Sequence, residues 1–101
     1  MSEIENIALA TRSLKIGDKQ VVIYLGHPES VDGDYICRYA IAFDDSFTRG
    51  NAFGVDAFQA ILLALASIRC ELMLLENKCG FNVIWLDNEC GYRLFPEIMD
   101  S

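Results

Sequence analysis

Basic residues are scarce in this chain. Eight lysines and arginines stand against fifteen aspartates and glutamates, a net charge of −7. Nucleic-acid binding draws its affinity from cations that neutralise phosphates, so the balance argues against a nucleic-acid partner and equally against an anionic membrane surface. It favours a basic protein partner, because complementary charge steers encounter and selects against wrong partners. Histidine occurs once, at His27. A serine or cysteine triad would have to use it as the base, and no residue near it in sequence looks like an activated nucleophile. The four cysteines, Cys37, Cys70, Cys79 and Cys90, contain no C-x-x-C pair, so zinc ligation gives way to small buried hydrophobes, with Cys70 the exception, exposed on its helix unless a partner covers it. Only two prolines are present, which leaves little room for a rigid linker, and residues 1–101 read as one domain. Residues 1–6 lack the basic segment and apolar run of a secretory signal, from which we expect a cytoplasmic protein with reduced thiols. No glycine loop for phosphate is present.

Carboxylates are plentiful but not arranged for chemistry. Glu29, Asp32 and Asp34 surround Gly33, yet the next alternate position is Ile36, and the glycine and terminal glutamate of a calcium loop are misplaced. Asp44 and Asp45 are adjacent in a turn and are not held across a substrate. No cofactor and no metal are expected, and no catalytic residue is assigned.

What the chain does have is apolar surface, 52 % of its residues, concentrated in residues 57–75. That run is broken only by Gln59, Ser67, Arg69 and Glu71, short of the ~20 uninterrupted apolar residues of a typical bilayer span. It reads as one long helix over residues 56–78. Asp56 is the N-cap, Gln59 reaches back to its amide as in a capping box, and Lys78 with Gly80 closes the far end. Phe58, Ile61, Leu65, Ile68 and Leu72 fall three and four apart and form the expected core face. Leu63, Ala66, Cys70 and Leu74 form a second stripe, flanked by Leu62 and Met73, and only Ser67, Glu71 and Lys78 make a polar strip. A helix apolar nearly all round needs cover nearly all round. The expectation is therefore a two-fold homodimer through that second stripe.

The remaining chain alternates with period two. Residues 8–16 and 20–25 read as strands joined at Gly17-Asp18, and residues 26–34 as a polar loop. In residues 35–43, Tyr35, Cys37, Tyr39, Ile41 and Phe43 share a face toward the helix. Asp44-Asp45-Ser46 is a turn, residues 49–53 an edge strand, residues 82–86 a returning strand with Trp85 as an anchor, and residues 92–96 a last packed segment. The expected fold is α+β: an antiparallel β-meander with one long helix across one face and a returning C-terminal strand, a two-layer sandwich.

The stretch Gly54-Val55-Asp56-Ala57-Phe58-Gln59-Ala60, with Leu63-Ala64-Leu65 after it and the strand from Tyr35 before it, resembles a family of small uncharacterised bacterial proteins with a G-V-D-A-x-Q-A helix start. The resemblance covers the first hairpin to Trp85 and implies a compact bacterial domain of unknown function. Residues 35–86 are also similar to the HicB-like antitoxin domain, where strands precede an alanine- and leucine-rich helix. The separate DNA-binding segment common in that family is absent here, which argues against a repressor role. Two functional readings follow. One is a non-catalytic interaction protein, antitoxin- or immunity-like, with a basic partner. The other is a ligand-binding or enzymatic domain with a pocket between the helix and the face of Tyr35, Tyr39 and Phe43, using His27 or Cys37 as the reactive group.

Overall fold

A computed structural model describes residues 8–85 of the chain. It is α+β: six antiparallel strands in one open sheet and one long helix. In chain order these are β1 (Ala10–Ile16), β2 (Lys19–Leu25), β3 (Glu29–Val31), β4 (Asp34–Phe43), β5 (Ser46–Gly54), α1 (Ala57–Cys79) and β6 (Val83–Ile84). Strand β4 is the centre. β5 runs along one of its edges, while β2 and β3 share the other, and β1 and β6 follow outward from β2.

Residues 26–34 are not simply the expected loop. Leu25 pairs with Tyr39 and Glu29 with Ile36, so Gly26, His27 and Pro28 lie opposite only Cys37 and Arg38. That surplus residue is a β-bulge, held by the Gly26 N–H donating to the Arg38 carbonyl at 2.7 Å, and it tolerates a proline that cannot join the ladder. Beyond it, Asp32 and Gly33 both have positive φ (50° and 88°), as a type I′ hairpin turn requires. The other two turns fall where the sequence places them. Gly17 (φ 61°) and Asp44 (φ 55°) lead the two-residue connections of β1–β2 and β4–β5.

The predicted helix ends hold, with one change of partner. Asp56 Oδ1 accepts from the Gln59 N–H at 2.8 Å, but Gln59 Oε1 reaches past Asp56 to the Val55 N–H at 2.7 Å. Gly80, left-handed at φ 78°, donates to the Glu76 carbonyl at 2.8 Å. The returning strand is short, Val83–Ile84 against Lys15 and Ile16, and the Val83 N–H donates to Glu76 Oε2 at 2.6 Å. Trp85 is half-buried, with the Arg12 guanidinium 4.3 Å from its ring centroid. Leu86 and the segment 92–96 lie outside the described residues.

The core lies between α1 and one sheet face, where Val21, Ile23, Cys37, Tyr39 and Ile41 meet Ala60, Ala64, Ile68 and Leu72. Ile61, Leu65, Ile68 and Leu72 pack where the expected core face puts them, and the correction falls at the helix start. Phe58, assigned to the core, is 80 % exposed, and Ala60 and Ala64 are fully buried in its stead. The reason is the strand beneath. The inward positions of β5 include Gly50, Ala52 and Gly54, so small helix residues settle close onto a small-residue strand and a phenyl ring finds no room there.

Candidate functional site

The exposed apolar side chains of α1 are the feature with functional content. Phe58 and Leu62 (53 % exposed) lie one turn apart toward the helix start, and Met73 and Leu74 (60 % exposed) lie toward its end. Cys70 is exposed and Leu63 half-buried. Ala66, expected at the middle of the open stripe, is 2 % exposed, so it is already covered within the fold and is not an open interface residue. The predicted stripe is thus brought to the surface at Leu62, Cys70, Met73 and Leu74 but interrupted at its centre. By length and composition α1 also meets the description of a membrane span, and only 28 % of its most apolar stretch is buried in the fold. Its burial against the sheet through Ala60, Ala64, Ile68 and Leu72 accounts for one face alone.

The polar strip is solvated at Lys78 and only partly so before it. Ser67 and Glu71 are half-buried, turned toward Tyr39, whose hydroxyl is hydrogen-bonded with Ser67. Tyr39 itself lies flat over Gly50: a Cβ built on that glycine would meet Tyr39 Cζ at 2.2 Å. Burial, then the negative charge of Glu71, pushes the Tyr39 phenol up from its usual 10.0. The helix thus carries exposed apolar side chains beside a polar strip that is itself only half-solvated.

A pocket between α1 and the aromatic strand face would need accessible reactive groups there. Cys37 is fully buried and its thiol donates to the Gly26 carbonyl at 3.4 Å. Burial raises its pKa from 9.0, which keeps it a thiol rather than the thiolate a nucleophile requires. His27 is exposed on the bulge. Among the described residues no group of three or more His, Cys, Asp or Glu is placed to hold a metal. A shallow depression elsewhere, lined by Lys19, Gln20, Val22, Ala42 and Asp44, is bridged by the Lys19–Asp44 ion pair at 2.7 Å.

The two raised acids set an alkaline limit. Both are neutral in the fold and ionise more readily when unfolded, so their stabilising effect is complete below pH 9 and is lost as pH rises through their folded values. The melting temperature is expected to fall above pH 9 and more steeply past 10, with Cys37→Ala and Tyr39→Phe each flattening part of the fall. A decline that neither substitution alters would reject this assignment.

The sheet's outer face carries a smaller aromatic group. The Tyr24 and Phe47 ring centroids are 6.2 Å apart, and the Arg49 guanidinium stands 5.1 Å from the Phe47 ring. These rows cover Ala40, which is fully buried. Phe53, farther along β5, is 59 % exposed.

The family model described as "Domain of unknown function (DUF6968)" matches residues 10–96, so the chain belongs to that family. No curated protein and no solved structure matches it. The assignment agrees with the resemblance to an uncharacterised domain family. The HicB-like similarity has no counterpart among these findings.

Proposed function

We propose that this member of a family of unknown function is a non-catalytic protein-interaction domain, a homodimer through α1 that binds a basic protein in the cytoplasm, in the manner of an antitoxin or immunity protein. The observation that carries the reading is the apolar surface that α1 leaves uncovered. Phe58, Leu62 and Leu74 stand in solvent, an arrangement that costs hydrophobic free energy unless another surface covers it. The net charge of −7 supports a cationic partner for the rest of the surface.

The test is the mass in solution. Wild type is expected to sediment as a dimer, and Leu74→Asp to weaken association at least tenfold, because a carboxylate would be buried unpaired at the seam. Since Leu74 is 60 % exposed in the single chain, the variant should keep the fold and its circular dichroism. An unchanged mass for Leu74→Asp would reject the helix as the interface. Capture from host lysate, washed at rising salt, tests the second half: a stoichiometric basic protein released by high salt is the expected result.

A further inference from the structure

Strand β5 is nine residues long and among the described residues pairs only with β4. Its hairpin partners alternate in role. Phe43 pairs with Ser46 next to the two-residue turn, so Ser46, Thr48, Gly50, Ala52 and Gly54 direct their amides and carbonyls at β4. Phe47, Arg49, Asn51 and Phe53 direct theirs away from it. Natural edge strands of this length are usually blunted by proline, bulges or several charges. β5 has no proline and a single charged residue, Arg49.

The outward set is self-complementary. If a second β5 lies antiparallel with a two-fold axis at Gly50, Phe47 falls opposite Phe53 of the partner and Arg49 opposite Asn51 of the partner. Each outward amide then meets an outward carbonyl, two aromatic pairs form on the outer face, and no like charges are opposed. On the inner face Gly50 meets its own copy, where the absence of a side chain permits the close approach of a non-hydrogen-bonded pair.

The helix fits the same axis. Gly54 lies under Gln59 and Ala60, and Gly50 under Tyr39, whose hydroxyl meets Ser67. So α1 runs back along β5, and the helix flank at the β5 edge is the one carrying Ser67. Leu63, four residues before Ser67, and Cys70 and Leu74, three and seven after it, share that flank. With α1 resting over β4 and β5, and strands about 4.8 Å apart, a two-fold copy would place the helix axes roughly 10 Å from each other, the distance at which helices pack. The axis at Gly50 falls beneath Ser67, so Leu63 of one copy meets Cys70 of the other.

We propose that the occupant of this edge is a second copy of the chain, joined β5 to β5 across Gly50 into one continuous sheet with the two helices side by side. The inference rests on the homodimer reading and names its register. It explains why the flank of Leu63, Cys70 and Leu74 is apolar beside a strand edge.

The test is residue-resolved amide exchange of the full chain, at concentrations above and below the dimer dissociation constant, together with sedimentation of Asn51→Pro and Leu62→Asp. The proline removes an outward N–H that β4 does not use. The expected result is at least tenfold slower exchange at Phe47, Arg49, Asn51 and Phe53 in the dimer only, a dimer weakened at least tenfold by Asn51→Pro, and little effect of Leu62→Asp. A dimer whose four amides exchange freely, and which Leu62→Asp but not Asn51→Pro dissolves, overturns the edge pairing and keeps the helix interface. Protection that does not vary with concentration means that the chain covers its own edge, which overturns the pairing. A chain that is monomeric throughout overturns both this inference and the homodimer reading.

Discussion

Leu72→Ala is expected to lower the unfolding free energy by about 2–5 kcal/mol. Leu72 is fully buried, one turn after Ile68, in the cluster that joins α1 to Val21, Ile41 and Val83. Removing its isobutyl end costs the transfer free energy of the lost carbons and leaves a cavity whose walls cannot collapse, because the helix is fixed at both ends. Asp56 and Gly80 cap it, and the Glu76 carboxylate ties its last turn to Val83. In a domain with a total stability of ~5–15 kcal/mol the loss is a large share of the whole. At roughly 4–8 °C per kcal/mol for a domain of this size, the melting temperature should drop by about 8 °C or more. Leu74→Ala, two residues on, is the control. Leu74 is 60 % exposed, and its truncation should move the single-chain melting temperature only slightly. Equal losses at the two positions would mean that α1 does not meet the sheet through the side that carries Ile68 and Leu72.

The spacing of Ile61, Leu65, Ile68 and Leu72 makes that face legible from sequence, and only its first residue, Phe58, departs from it. Caps and tight turns were readable, because Asp56, Gln59, Gly80, Gly17-Asp18 and Asp44-Asp45 act through local backbone chemistry that needs no knowledge of the rest of the chain. The alternation of Tyr35, Cys37, Tyr39, Ile41 and Phe43 was readable for the same reason. At the helix start the three-and-four spacing points to Phe58, a large apolar residue. The contact there is made instead by Ala60 and Ala64, on a strand that presents Gly50, Ala52 and Gly54. The hairpin of β3 was hidden in another way. Its β3 arm is three residues long and wholly exposed, so no apolar alternation marks it, and only the Asp32-Gly33 pair betrays the turn. Of the interface candidates, Leu62, Cys70, Met73 and Leu74 were legible as surplus hydrophobes. The burial of Ala66 was not, because which part of a nearly all-apolar helix is covered depends on tertiary packing.

Gly54→Ala is the sharpest test of the small-residue contact. Replacing a strand glycine by alanine ordinarily stabilises by about 0.4–1 kcal/mol through the unfolded chain, provided the site accepts a methyl group. Gly54 does not have the space. A Cβ there would lie 2.5 Å from the Ala60 amide nitrogen and 2.9 Å from the Gln59 carbonyl carbon. Both obstructing atoms are backbone, so no rotamer change relieves the overlap, and the first turn of α1 must lift off β5. Lifting it pulls on the Asp56–Gln59 and Gln59–Val55 hydrogen bonds at the helix start. We expect a loss of ~3 kcal/mol or more, the upper end for an overpacked core. Gly50→Ala separates the two kinds of obstruction. Its added carbon would meet the Tyr39 ring at 2.2 Å, and a ring belongs to a side chain that can be shortened. Tyr39→Leu in the Gly50→Ala background should therefore recover part of the lost stability, whereas Ala60→Gly in the Gly54→Ala background should recover none, because the clash is with the nitrogen that glycine retains. Recovery by Ala60→Gly would show that the helix contacts β5 through side chains, and that the close backbone approach is not what sets the phase of α1.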